Sequence, residues 1–563
     1  MNPPRRLNRV VAVCVAAAIL PLCPATGSHA QPTANLIIRN ANVITLDEQT
    51  PAAQAIAIRD GRIIRVGNNR DCDELAGDLT RVLDLEGALV IPGLTDAHAH
   101  LMNLGRFLAN VNLLGTASPE QARELVLKRL AEAPSGSWIQ GRGWDQNDWA
   151  SREFPTWRDL AGTETHPVYL RRVDGHAAWV NKTALDACGI TRDTPDPPGG
   201  RIERDADGEP MGVFVDNATD LITAHIPPES FNERMDLARR ALAECARNGL
   251  TGVHDAGLDS LAIEVFRELG RRGELTLRVY GMLSTDSLAF AMRQMARGPI
   301  DDADGLFQVR AVKLYADGAL GSRGAALLAP YSDDPANSGL FVTSTETMST
   351  LCSLAVAHGF QVCTHAIGDA GVCRTLDIYE SARQDRPDLD HRFRIEHAQV
   401  IAPADIPRFA SLGVIPSMQP THATSDMPWA EARLGPERIK GAYAWRQLLS
   451  AGCRIPFGSD FPVESVNPLW GIYAAVTRQD HDGHPTGGWR SEECMTMDEA
   501  VRGFTQHAAY ASFMDSALGV IREGGMADLT VLDRNIFKVA YSEILDTRPI
   551  YTIVSGRVVY QTD

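Results

Sequence analysis

In the stretch VIPGLTDAHAHL, residues 90–101, two histidines stand one residue apart behind an apolar run. Side chains of a strand alternate between faces, so His98 and His100 share one face while Ala97 and Ala99 take the other. Two imidazoles at that spacing can hold one metal ion, although a lone His-x-His equally suits two polar residues at a strand end. Further along come Lys313 in VRAVKLYADG, His365 in FQVCTHAIGD, His397 in RFRIEHA and Asp460 in RIPFGSD. Taken singly, each is an ordinary strand-end residue. Taken together, these imidazoles, a carboxylate and a lysine suit a pair of divalent cations, with zinc the first choice among the several ions such donors accept.

A site of that kind needs elements that bring distant residues to one place. The segments TGVHDAG, TLRVYGM, VRAVKLYADG, FQVCTHAIGD, RFRIEHA, GVIPSMQP and RIPFGSD are short and apolar, and each follows a helix-like stretch. With VIPGLTDAHAH they make eight strands alternating with helices, which predicts an α/β fold built on a (β/α)8 TIM barrel. The metal-binding residues then fall at the C-terminal ends of strands one, four, five, six and eight, where such barrels carry their sites. The barrel domain is expected over 93–515, with a lid subdomain inserted over about 110–248, after the first barrel strand. That span is too long for one βα connection and is rich in Gly, Trp and Pro.

Both ends of the chain have a different texture. NLIIRNANVITLD and AIAIRDGRIIRVG cluster branched apolar residues around Asp60-Gly61, a hairpin signal. ADLTVLD and YTIVSGRVVY repeat this at the C-terminus, so segments 31–92 and 516–563 are expected to pair as one composite β-sandwich, each covering the other's open edge. The first thirty residues have a basic head (Arg5, Arg6, Arg9), the apolar run VVAVCVAAAIL and a small-x-small ending at Ser28-His29-Ala30. This is the pattern of a cleavable signal peptide, cut after Ala30, for a periplasmic or secreted protein. A lipoprotein site at Cys23 is disfavoured by the bulky Leu22 before it.

Composition narrows the partners. A formal charge of -17, more negative still once the arginine-bearing leader is gone, disfavours nucleic acid and anionic membranes, leaving a small-molecule substrate as the expected partner. The cysteines beyond the leader lack CxxC spacing, which argues against a zinc ribbon and for small buried hydrophobes.

The set DAHAH, VKLYADGALGSRGA, THAIGD, RIEHA and GSDFPV, with GRGWDQN, DGHAAWVN, GGRIERDADGEPMGV and the closing GGMADLTVLD, resembles the amidohydrolase superfamily. Within it the chain is similar to the YtcJ-like branch, which includes N-substituted formamide deformylase. The resemblance spans nearly the whole chain beyond the leader and implies a distorted barrel with a composite β-sandwich, and a homodimer, since the family commonly pairs up. It implies that His98 and His100 hold the more buried ion, that His365 and His397 hold the more exposed one, and that Asp460 binds metal and accepts the proton of a bridging water. Lys313 matches a position that is carboxylated in related enzymes. A free lysine, with a pKa of about 10.4, is a poor ligand beside two dications, whereas its carbamate is an anionic oxygen ligand. The alternative is an unmodified Lys313 paired with Asp317 or another acid.

These roles make the expected reaction hydrolysis of a carbon–nitrogen bond in a small non-peptide amide, an N-substituted formamide or another carboxamide. A water acidified from about 15.7 toward 7 attacks the carbonyl, and Asp460 passes its proton to the leaving nitrogen. Ser459 or His422 can hold Asp460 from behind, and His422 can instead touch the substrate or be a plain loop residue. Trp144, Asp145, Arg171, Asp174 and His176 mix aromatic and charged groups as a binding lid would, or simply pack an irregular subdomain. His254-Asp255 and Arg323 also belong to the mouth if the strand count is right, and Arg323 is suited to an anionic substrate group. Two other readings keep the same residues: an esterase or lactonase, and a non-catalytic metal- or ligand-binding barrel. Against the second stands Asp460, a proton shuttle that pure binding does not need.

Overall fold

The computed structural model describes residues 33–562 except 135, 174, 303 and 304. Seven strands pair side by side in parallel: β1 (Leu94–Ala99), β2 (Leu250–Leu258), β3 (Arg278–Leu283), β4 (Phe307–Tyr315), β5 (Gln361–Ala366), β6 (Arg394–His397) and β7 (Ile415–Ser417). Their residues are buried almost throughout, as parallel strands covered on both faces must be. The eighth expected strand is not a regular one, yet residues 455–460 close the ring through backbone bonds on both sides. Met418 N–H donates to Pro456 O and Gly458 N–H to Met418 O, while Ala97 N–H donates to Phe457 O and Asp460 N–H to His98 O. Gly458 makes that closure possible, because a Cβ there would stand 2.5 Å from His98 N and 2.6 Å from Asp96 Oδ1.

Helices cover the barrel outside. Phe231–Arg247, started by a Ser230/Glu233 capping box, packs its apolar face on Leu101–Ala109. Although it falls inside the span expected for the insertion, it belongs to the barrel's outer layer.

The chain ends build two further sheets. One orders Arg62–Gly67, Ala55–Arg59, Leu36–Arg39 and Arg81–Asp84; the other orders Arg557–Gln561, Pro549–Val554, Leu529–Leu532, Leu89–Pro92, Asn42–Ile44 and Ala52–Ala53. The second joins both termini directly, with Val531 opposite Val90 and Leu529 opposite Pro92. Ile38, Ile56, Val90, Val531 and Ile553 fill the core between them.

The insertion holds a six-stranded sheet in the order Gly200–Arg204, Pro210–Asp216, Ala177–Val180, Val168–Arg172, Ile139–Trp144 and Val111–Asn112. Trp144, Trp149 and Trp179 pack together on one side of it, and Phe214 and Ile222 on the other. The expected signal peptide lies outside the described residues. Among the described residues no helix is long and apolar enough to cross a membrane. Their cysteines are all free thiols, and Cys72, Cys245, Cys352, Cys363 and Cys453 are buried.

Candidate metal centre

Around the C-terminal ends of the barrel strands, the ligand atoms of His98, His100 and Asp460 lie within 4.8 Å of one another, as do those of His397, His422 and Asp460. Asp460 links the two groups: its Oδ1 stands 3.1 Å from His100 Nε2 and 3.6 Å from His98 Nε2, and its Oδ2 stands 3.9 Å from His422 Nε2. His365 is near but turned. Its ring centroid is 4.6 Å from that of His397, whereas its Nε2 faces Gly318 O at 3.5 Å and Asp317 Oδ1 at 3.8 Å. Lys313 reaches in from β4, with Nζ 3.2 Å from His98 Nε2.

The backbone that delivers two of these groups is unusual. His397 has φ +73° and Asp460 has φ +61°, left-handed conformations that cost a non-glycine residue about 1–3 kcal/mol and persist where the surroundings enforce them. In a regular strand His397 would point away from the face that carries Glu396. The left-handed turn brings it into the mouth.

Burial sets the electrostatics. It pushes the His98 imidazole down to about 4, with the Lys313 charge adding to it, and His365 down to about 3 by the same two causes. Both rings are therefore neutral and able to give a lone pair. Burial also lowers Lys313. For Asp460 burial works against the charge, yet the His100 hydrogen bond and the surrounding imidazoles hold its carboxyl well below the usual range.

A layer of residues that the sequence reading did not assign supports these groups. Glu396 Oε2 accepts from His98 Nδ1 at 2.6 Å. Glu396 is held in turn by Arg394, whose Nε lies 2.7 Å from Oε1 and whose Nη2 donates to Oε2 at 3.1 Å and to Ser417 Oγ at 2.9 Å. His397 Nδ1 faces Gln419 Oε1 at 2.8 Å. Asp96 accepts from His98 N–H and from the Ser459 N–H and hydroxyl, and burial raises its carboxyl to about 7. The signal for Glu396 and Arg394 was present in RIEHA, since both share the strand face that looks into the barrel. Their partners come from other strands, which spacing along the chain does not reveal.

Several expectations need correction. Ser459 grips Asp96 rather than Asp460. Asp317 does not pair with Lys313; it accepts the N–H groups of Ala326, Ile367 and Gly368. His254 lies inside the barrel, bonded to Arg394 Nη1 at 2.9 Å, and lines a small cavity at the opposite end.

The cleft over these residues, about 350 Å³, is walled by Tyr315, Leu320, Trp429, Asp426 and Glu464, with His422 inside it. The insertion residues named from sequence do not line it. Trp144 is fully buried in its own subdomain, where its Nε1–H donates to Leu170 O. Asp145 pairs with Arg172 at 2.6 Å. Arg171 donates to Gly175 O, and His176 meets Asp216 at 2.9 Å on an exposed surface. Arg323 is bound to Asp333 through both Nε and Nη2 and does not line the cleft. Asp174 lies outside the described residues.

The donor set fits divalent ions of the zinc class. Imidazole nitrogens and a carboxylate converge, and His98 and His397 give their Nδ1 protons to acceptors, leaving Nε2 lone pairs for a metal.

The chain is similar to known proteins over most of its length. Residues 81–560 match the model of the amidohydrolase family. The Arabidopsis thaliana protein LONG AFTER FAR-RED 3 is 34% identical over 94% of this chain and 92% of its own. The putative amidohydrolase YtcJ of Bacillus subtilis is 32% identical over 92% and 98%, and N-substituted formamide deformylase of Arthrobacter pascens is 28% identical over 94% and 98%. Among solved structures, an uncharacterized metal-dependent hydrolase from Pyrococcus horikoshii superposes with a TM-score of 0.75 at 26% identity, covering 90% of this chain and 99% of that one.

Proposed function

The chain belongs to the amidohydrolase family, and we propose that it hydrolyses the carbon–nitrogen bond of a small non-peptide amide, an N-substituted formamide or similar carboxamide, at a binuclear zinc centre. The observation that carries this reading is Asp460, a partly exposed carboxylate facing His98 and His100 on one side and His397 on the other at the floor of an open cleft. Divalent ions bound there supply Lewis acidity, polarising a carbonyl and lowering the pKa of water from 15.7 to about 7.

The chain's own groups do the rest. Asp460, kept ionised by His100, takes a proton from the attacking water on its carboxylate and hands it to the departing nitrogen. Glu396 and Gln419 hold His98 and His397 in the tautomer that presents Nε2. Among the described residues no carboxylate comes within 4 Å of Lys313 Nζ, and burial favours its neutral amine. That amine is suited to add carbon dioxide, losing one proton and becoming an anionic carbamate that would serve as an oxygen ligand. The likeness to N-substituted formamide deformylase supports the substrate class. The order of basic, apolar and small residues in 1–30 supports export.

The test is metal content of the protein purified from zinc- and bicarbonate-supplemented medium, beside hydrolysis of a panel of N-substituted formamides, other amides and matched esters. Two ions per chain, amide turnover above ester turnover, and its loss in Asp460→Asn are expected. Protein without bound ions, or a panel in which esters alone are cleaved, overturns the proposal.

A further inference from the structure

His98, His397 and His422 fall into two kinds by what their Nδ1 atoms meet. A neutral imidazole carries one proton, so the partner of Nδ1 decides what Nε2 can offer. His98 Nδ1 faces a carboxylate and His397 Nδ1 faces an amide oxygen. Both partners accept, so both Nε2 atoms keep a lone pair. His422 is the reverse case. Its Nδ1 lies 3.2 Å from Gln399 Nε2, an amide N–H that donates, which places the imidazole proton on Nε2.

Among the described residues that Nε2–H is without a hydrogen-bond partner, on a residue only 8% exposed that lines the cleft. The ring is fixed in place, stacked on His397 with centroids 5.9 Å apart and planes 14° from parallel. The Gln399 main chain is held beside it, its carbonyl accepting from Tyr443 N–H at 2.7 Å, and the residue is 5% exposed. The 3.9 Å from His422 Nε2 to Asp460 Oδ2 is too long for a hydrogen bond, so Asp460 does not take the Nε2 proton and the donor is left to the cleft.

We propose that His422 is a catalytic hydrogen-bond donor rather than a metal ligand, its Nε2–H meeting the substrate's carbonyl oxygen as that oxygen gains negative charge. The inference rests on the hydrolase reading above and assigns the residue that polarises the carbonyl alongside the ions. His422 keeps its proton throughout, and Asp460 carries the proton that moves. A donor aimed where charge develops contributes to the transition state and little to substrate binding. Turning the Gln399 amide over would make His422 a ligand instead, and the two assignments give opposite results.

The experiment uses the zinc-loaded full chain labelled with 15N-histidine. Long-range 1H–15N correlations report which ring nitrogen carries the proton, and the signal missing from His422→Gln assigns His422. The expected result is an Nε2-protonated ring, with two zinc ions retained in His422→Ala. With the best amide of the panel, kcat of His422→Ala should fall by about 10²–10³-fold at nearly constant KM, and His422→Gln, which keeps an N–H near the Nε2 position, should recover part of it. An Nδ1-protonated ring, or loss of one ion from His422→Ala while the wild type holds two, overturns the assignment. The tautomer is read on the wild-type protein, so it decides even where the alanine variant fails to fold. If the wild type cleaves neither amides nor esters, the hydrolase reading fails separately.

Discussion

Replacing Glu396 with glutamine should release the metal more easily than any surface change could, because Glu396 is the buried group that orients His98. The carboxylate is fully buried, bonded to His98 Nδ1 at 2.6 Å through Oε2 and paired with Arg394 at 2.7 Å through Oε1. An amide has one acceptor. If its oxygen takes the His98 proton, its NH₂ group is left facing the Arg394 guanidinium, donor against donor. Loss of such an orienting partner lowers metal affinity by about 10–100-fold, which is roughly 1.4–2.8 kcal/mol. The fold suffers separately, since a buried arginine stripped of its partner costs about 3–5 kcal/mol. Competition with a zinc-chelating dye measures the first quantity, and urea unfolding of the metal-free protein measures the second. Adding Arg394→Met to Glu396→Gln removes the stranded charge, so it should recover most of the stability but none of the metal affinity. A single variant that is destabilised yet binds zinc as tightly as wild type would refute the reasoning, showing that β1 alone places His98.

Two other outcomes follow from the same structure. Trp144→Ala empties a fully buried site among Trp149, Phe154 and Trp179, so thermal unfolding should show a loss of about 3–5 kcal/mol with zinc content and KM unchanged; a raised KM at unchanged stability would return Trp144 to the substrate site. Burial raises the Asp317 carboxyl from 3.8 to about 6, so the folded chain binds this proton more tightly than the unfolded one. Its stabilising contribution is complete below 3.8 and lost as pH rises through 6, a change of about 3 kcal/mol at 1.36 kcal/mol per unit. Metal-free Asp317→Asn should lack that fall between pH 4 and pH 7 in urea unfolding, and an identical pH profile in the two proteins would contradict it.

The sequence by itself determined the repeating strand–helix order, the pairing of the two ends and the main polar residues at the barrel mouth. Each of these rests on local signals. Period-two spacing puts His98 and His100 on one face, apolar runs mark strands covered on both sides, and Asp60-Gly61 marks a hairpin whose backbone takes φ +50° and +76°. The sheet within the insertion was hidden because its glycines, tryptophans and prolines read locally as loop, while the packing of Trp144, Trp149 and Trp179 is settled across strands.

Only the tertiary structure decided the roles within the site. It turned His397 and Asp460 into the mouth through left-handed backbone, set Glu396 against His98 across 298 positions of chain, and occupied Asp145, Arg323 and His176 with acidic or basic neighbours of their own. A side chain's type says which bonds it can make. Which of them it does make depends on the groups that folding brings within about 3 Å, and for His422 it is the amide of Gln399, 23 positions away, that decides where the proton sits.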